Sequence, residues 1–387
     1  MKKNSLTIIK ALITATFLIT CFFHTLVWAN EDNIVDKNNV EKFKDMLPLD
    51  HYVRIKEWGA TFKIIPAVHN FKPSKTFQEA TKNNAGTCTI APTGELLNHK
   101  GGIPFPDPKT GAEILWNLEK HYAGDDFTYD WESHIMNTEG NQRDIGGIYL
   151  QMRWTGRTDI EPLGTVPDNS NVLFKEYAYQ KFPFEMKGTA NLNIRYLDGT
   201  KDDDAWVYVA TLRRVRRFPT AQRCDTYAGS DATWDDFKNY NWKQESHTYK
   251  LIGKKEMYIA RHAEKPVTYS KTAYPQRTNE SLEKAEVYIV EAYPKDPNYV
   301  YSKRVIYIDA ESWYLTNQVM YDRKGSLWKG YHVPMYMHDD IIITYTDDIY
   351  DFQARRSSMY DHWDTYYINY GYKPDYFSVA TLRKLGR

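Results

Sequence analysis

Cysteine is scarce in this chain: three residues in 387, at Cys21, Cys88 and Cys224. That excludes a disulfide scaffold and a multi-thiolate zinc site. A surplus of one charge is missing as well. Fifty basic side chains face fifty acidic ones, so the chain lacks the basic excess of a polyanion binder and no nucleic-acid partner is expected. Past residue 30 there is no long apolar run, no low-complexity block and no repeat. Catalytic signatures are also lacking: no G-x-S-x-G, no S-x-x-K with its companions and no H-E-x-x-H. The glycines of "GGIPFPDPKTG" stand among prolines, which remove the amide donors a phosphate cradle needs. No cofactor is expected.

Residues 1–29 carry Lys2, Lys3 and Lys10 without an acid, an apolar run from Ala11 through Trp28, and small residues Val27 and Ala29 before the polar "NEDNIVDKNN". This is the pattern of a secretion signal cut after Ala29, the alternative being an uncleaved anchor. A lipoprotein reading through Cys21 fails because Thr20 stands where Ala or Gly would precede the cysteine. Cleavage leaves 47 basic against 50 acidic side chains and delivers Cys88 and Cys224 to an oxidising compartment. They either form one bridge, contributing about 5 kcal/mol in the chain-entropy model, or remain two separate thiols. Neither has a neighbouring histidine to activate it.

What is abundant is aromatic: 31 Tyr, 16 Phe and 11 Trp, types that suit strands and half-buried surfaces. Two helices are predicted early. "NNVEKFKDMLP" offers Asn38 or Asn39 as a cap, Val40, Phe43 and Leu47 on one face, and Pro48 as a stop; "PSKTFQEATKNNAG" ends at Gly86. The proline-rich "GGIPFPDPKTG" must be a shaped loop. From residue 146 strand-length segments follow one another, among them "GIYLQMRWTGR", "NVLFKEYAYQKF", "AWVYVATLRRVRRF", "HTYKLIGKKEMYI", "AEVYIVEAYP" and "KRVIYIDAES", with turn signals at Asp198-Gly199 and "DRKG". The expected organisation is a signal over 1–29, a helical and irregular segment with a loop over 30–145, and an antiparallel sheet over 146–387, the last two forming one domain. In "RVIYID", Val305 and Tyr307 share one face and Ile306 and Ile308 the other, so both faces need cover. A long meander curling over such a lining predicts a cavity for an apolar ligand.

The stretches "GGIPFPDPKTGAEILWN", "VYVATLRRVRRFP", "YKLIGKKEMYI" and "RVIYIDAESWYLTNQVMYDRKGSLWK", in that order from about Val40 onward, resemble the bacterial domain of unknown function 1329, described as outer-membrane lipoprotein-sorting-like and similar in fold to the LolA and LolB carriers. The resemblance implies a mainly β, α+β fold: a large curved antiparallel sheet forming an open half-barrel against a few helices, with an apolar hollow. It also implies a Gram-negative periplasmic setting and association with a resistance-nodulation-division-type exporter of the inner membrane and an outer-membrane partner. "EKPVTYSKTAYPQRTNESLE" departs from the family pattern, and no catalytic residues carry over.

On this basis the expected function is that of a periplasmic, non-enzymatic carrier or accessory protein for a lipid or other hydrophobic small molecule. Each CH2 kept from water contributes about 0.8 kcal/mol, so a soluble shelter is all the chemistry such a role requires. Tyr208, Leu212, Tyr288, Ile306, Ile308 and Val319 are the expected lining. Phe105, Trp116 and the arginines Arg213, Arg214, Arg216 and Arg217 are the expected rim or headgroup contacts. In one extended strand Arg214 and Arg216 would share a face with Tyr208 and Leu212, and Arg213 and Arg217 the other, beside many aspartates; inter-strand salt bridges are the plainer reading. A metal- or carboxylate-dependent hydrolase is the alternative, using His332, His338, Asp339 and Asp340 with Asp361, His362 and Asp364. A second alternative, a glycan-binding protein, would need Trp131, Trp154, Trp234, Trp242, Trp313 and Trp363 exposed as platforms, where strand aromatics usually pack across strands.

Overall fold

The computed structural model describes residues 33–168, 171–218, 223–338, 341–344, 346–362 and 365–385. The expected signal over 1–29 and Asp339, Asp340, Trp363 and Asp364 lie outside them. One sheet of sixteen strands dominates, accompanied by four two-stranded ribbons. In chain order its strands are β1 (Ile34–Val35), β2 (Phe62–Ile64), β3 (Asp126–Met136), β4 (Gln142–Arg153), β5 (Val172–Phe182), β6 (Ala190–Tyr196), β7 (Asp204–Val209), β8 (Arg214–Arg217), β9 (His247–Ile259), β10 (Ser281–Pro294), β11 (Lys303–Asp309), β12 (Leu315–Tyr321), β13 (Leu327–His332), β14 (Thr346–Asp351), β15 (Arg356–His362) and β16 (Tyr367–Ile368). Among the described residues four α-helices accompany them: α1 (Leu49–Trp58), α2 (Lys75–Asn84), α3 (Gly111–Glu119) and α4 (Val379–Leu385).

Two antiparallel meanders make the sheet. One runs from β3 to β8 and the other from β10 to β15, and they join where β15 pairs with β3, from Ser357 opposite Met136 to His362 opposite Trp131. β9 flanks β10 at one end and β8 is outermost at the other, while β2 adds a short parallel pairing at Ser281. The boundary expected at 145/146 falls inside β4, so the earlier section supplies a central strand as well as helices.

The expected half-barrel is not formed. The sheet is neither closed nor strongly curled: β9 and β8 end it without pairing to each other. Its apolar face is buried by an added layer instead. Ile114, Leu115 and Leu118 of α3, and Tyr227, Ala232 and Trp242 of the segment between β8 and β9, share one cluster with Tyr129, Trp131, Tyr149, Ile306, Ile308, Tyr331 and Ile349 of the sheet. A face already covered in this way gains nothing by bending over itself. Period-2 alternation then sends the neighbouring side chains to the opposite face. There Leu150, Met152, Tyr177, Leu192 and Tyr208 pack with Phe377 and with Leu382 of α4.

Two local expectations also change. Pro48 does not stop a helix. Val40–Lys42 and Lys44–Met46 are 3-10 turns, and Leu47 before the proline is extended, as the ring of the next residue favours. Pro48 then sits at the start of α1, where its fixed φ is suited to a helix beginning. The "AWVYVATLRRVRRF" stretch is a hairpin, not one strand: residues 210–213 turn the chain, with Arg213 in the left-handed region (φ 50°), and Val209 comes opposite Arg214. The second predicted helix forms as α2, capped by the Ser74 hydroxyl, which accepts from the Phe77 amide at 3.1 Å.

Candidate ligand-binding cavity

A cavity of about 720 Å³ lies beside α3, between the β4–β6 end of the sheet and the turn before β9. Its position follows from how α3 is anchored. Thr110 and Glu113 form a capping box: the Thr110 hydroxyl accepts from the Glu113 amide at 3.2 Å, and the Glu113 carboxylate accepts from the Thr110 amide at 3.0 Å. Gly111 lets the helix start touch the sheet, since a Cβ there would meet Tyr249 Cβ at 3.0 Å and Val290 Cγ1 at 3.1 Å. Asn117 grips the preceding loop, accepting from the Phe105 amide at 2.9 Å and donating to the Phe105 carbonyl at 2.7 Å. "GGIPFPDPKTG" is thereby stapled to the helix, and Ile103 joins the main core.

Three indoles face the cavity, each fixed by its own N–H. Trp116 donates to the Gly94 carbonyl at 3.0 Å, Trp154 to Asp168 at 2.8 Å and Trp242 to the Tyr249 hydroxyl at 3.1 Å. Val166, Val172 and Leu173 add aliphatic wall. The polar part of the lining includes His99, Glu119, Lys120, Arg195, Lys243 and Glu245. Arg195 is committed: it donates to Asp203 at 2.8 Å and to the Asn241 carbonyl at 2.8 Å. Burial, aided by the charge of Lys120, pushes His99 down to about 3, so its ring is neutral and bonds the Gly102 carbonyl oxygen at 2.9 Å. A smaller void of about 100 Å³ shares Glu119 and Arg195 with the large one and continues toward Tyr129, Tyr314 and Tyr366.

Of the residues expected from sequence at the site, Trp116 lines this cavity. Ile306 and Ile308 are fully buried in the main core, Val319 is fully buried in β12, and Tyr208 lies in the opposite-face cluster. Tyr288 stacks on Trp313 with ring centroids 5.5 Å apart, and Leu212 is 49% exposed in the hairpin turn. Arg213, Arg214, Arg216 and Arg217 are exposed on the outermost hairpin, with Arg217 paired to Asp204. Charge on an outer strand discourages pairing with another sheet edge. Cys88 and Cys224 form no disulfide: Cys88 lies buried near Lys120, whereas Cys224 lies near Arg304 and Asp236. Sequence reasoning overlooked Lys120 and Glu119, although a Glu-Lys pair closing an apolar helix was a readable signal, and it named Trp154 and Trp242 only as sugar platforms.

Two clusters of histidine and acid lie elsewhere. Fully buried His332 lies 2.9 Å from Glu280 and 3.9 Å from Asp348, and Arg54 and Arg277 take the same two carboxylates at 2.5 and 2.8 Å. Burial, with the Arg54 charge, holds the His332 imidazole well below its usual range. The partially exposed second network sets His134 Nδ1 2.8 Å from Asp144 and His134 Nε2 3.6 Å from Asp361, which also accepts from the Tyr269 hydroxyl. His338 and His362 fall on the strands Met335–His338 and β15. Trp131, Trp154, Trp242 and Trp313 are buried and Trp234 is half-buried, so these indoles form no open platform.

This architecture has recognisable relatives. A Vibrio parahaemolyticus domain, proposed to be an outer membrane lipoprotein-sorting protein, superposes with a TM-score of 0.52 at 18% identity, covering 70% of this chain and 98% of its own. A DUF1329 family protein from Desulfovibrio piger gives the same TM-score at 17% identity over 70% of this chain and 97% of that one. In sequence, the uncharacterized Pseudomonas aeruginosa protein PA3922 is 28% identical over 375 residues, covering 91% of this chain and 81% of its own length. Residues 34–383 match the model of the protein of unknown function DUF1329, and the chain belongs to that family.

Proposed function

We propose that this protein is a non-enzymatic carrier or accessory protein of the Gram-negative envelope, holding a lipid-like ligand with an apolar body and a polar head in the cavity beside α3. The cavity itself carries the reading. Its volume of about 720 Å³ falls within the roughly 300–1,000 Å³ of small-molecule sites, and its walls combine three anchored indoles and aliphatic side chains with a few polar groups. Carriage needs no bond to break, and the fold is shared with a domain proposed to sort outer membrane lipoproteins. The periplasmic setting and any exporter or outer-membrane partner belong to this proposal on the same footing.

The hydrolase alternative finds less support. Arginines already occupy the carboxylates around His332, and that group is fully buried. Extraction of the protein from the periplasm of its expressing cell, followed by lipid mass spectrometry, tests the carrier reading. A stoichiometric amphiphile that is lost on filling the cavity with Leu173→Trp is the expected result. Protein that emerges empty, and takes up nothing from a total lipid extract, overturns it.

A further inference from the structure

We propose that Lys120 is the headgroup receptor of this cavity, selecting amphiphiles whose head is a carboxylate or phosphate oxyanion. The inference rests on the carrier reading and adds the ligand's charge to it.

Backbone geometry places the residue. Lys120 caps the C-terminus of α3, its amide donating to the Trp116 carbonyl at 3.0 Å and to the Asn117 carbonyl at 3.2 Å. Its side chain lines the cavity in company with Trp116 and His99. The residue is only 4% exposed. Its ammonium nevertheless makes no hydrogen bond or ion pair with any described residue. Its three donors are thus left unspent on the protein and face the cavity.

The other cations of the lining differ. Arg195 is held by Asp203 and the Asn241 carbonyl, Lys243 donates to the Gly199 carbonyl at 3.1 Å, and Lys100 is exposed to solvent. The groups that act on Lys120 are Glu119, Glu245, Arg153, Cys88 and the neutral His99. Neither glutamate pairs with it, and burial raises the Glu245 carboxyl. The Cys88 thiol is likewise pushed up by burial and stays uncharged. Burial brings Lys120 itself down to about 8, so the ammonium persists at neutral pH.

A buried, unpaired charge is costly unless something completes it. An oxyanion would accept the three free donors, while a hydrocarbon tail would run along Trp116, Trp154 and Val172. An uncharged hydroxyl head would accept from only part of them and leave the charge uncompensated, which is the physical origin of discrimination.

The test compares hexadecanoate, hexadecyl phosphate and hexadecanol by titration below their aggregation thresholds, with the wild-type chain, Lys120→Met and Lys120→Arg. Inorganic phosphate is added as an oxyanion without a tail. Wild type is expected to bind the two anionic amphiphiles at least tenfold more tightly than the alcohol. Lys120→Met should lose that preference while still binding the alcohol, and Lys120→Arg should keep it. In wild type the preference should also fade as pH rises past about 8, a readout that needs no variant. Equal affinity for acid and alcohol in wild type overturns the role of Lys120 and leaves the carrier reading standing. Failure of all three amphiphiles to bind removes the carrier reading itself. Inorganic phosphate binding as tightly as hexadecanoate would replace the proposal with a free-anion site.

Discussion

The guanidinium of Arg54, on α1, meets the carboxylate of Glu280, at the threshold of β10, at 2.5 Å, with both side chains almost completely withdrawn from water. Residues more than two hundred positions apart are joined there, and the ring of Tyr350 lies 4.3 Å from the same guanidinium. The ion pair fastens the first helix to the back of the sheet, opposite the cavity layer.

Removing one partner leaves the other charge buried without its ion pair, so Arg54→Met should destabilise the fold by about 3–5 kcal/mol. Replacing both, Arg54→Met with Glu280→Gln, should recover much of that loss. Urea unfolding of the three proteins checks it, and a single variant as stable as wild type would show that the pair carries no weight.

His134 offers a pH-dependent counterpart. Partial burial works against its charge, but the hydrogen bonds to Asp361 and Asp144, together with the charges of Asp361 and Glu132, prevail and hold the imidazolium up to about 9. The folded pKa lies above the ordinary histidine value of 6.5, so the folded state binds the extra proton. Its stabilisation is complete below about 6.5 and fades as pH rises through about 9. His134→Gln should therefore cost about 1.5–3 kcal/mol at pH 6 and almost nothing at pH 10. Thermal unfolding across that range measures the convergence.

The two networks differ in how far the sequence disclosed them. His134 and Asp144 face each other across the β3–β4 hairpin, whose turn at Asn137–Asn141 contains Gly140. Counting outward from that turn yields the pair from local information alone. Arg54, Arg277, Glu280, His332 and Asp348 come from separate elements, and no local spacing foretells their meeting. The same division runs through the fold. Strands with period-2 aromatic patterns, such as β5 and β10, were legible because burial on one face writes itself into neighbouring residues. The β7–β8 hairpin was hidden because its turn uses Arg213 rather than glycine or asparagine in the left-handed region. The cover over the sheet was hidden for a different reason: the aromatic segment carrying Tyr227, Trp234 and Trp242 has no periodicity, and only tertiary packing shows that it fills the face a curled sheet would have enclosed.

Cys88 and Cys224 occupy different surroundings, and both thiols are pushed up by burial. A chain beginning at residue 30 should therefore show two titratable thiols in denaturant without reductant, and little reactivity when folded. Thiol titration before and after unfolding decides it; a result of zero in denaturant would establish a bridge.

Lys120 predicts a pH trend opposite to that of His134. Burial is the largest influence on it and lowers its pKa from 10.5 to about 8, against the weaker opposing pull of Glu119 and Glu245. Here the unfolded chain holds the proton more tightly, so between about 8 and 10.5 the unfolded state binds more protons and stability rises with pH. Below about 8 the penalty is present in full, on the order of 2–4 kcal/mol for a shift of this size in a buried group. Lys120→Met should therefore raise the Tm of the ligand-free protein at pH 7 and flatten its alkaline rise. A saturating anionic amphiphile should stabilise wild type more than the variant, because only the lysine has a charge left to neutralise. A variant that melts lower than wild type at pH 7 would mean that the ammonium is already satisfied in the empty fold, and stability, unlike binding, reports that without any ligand being known.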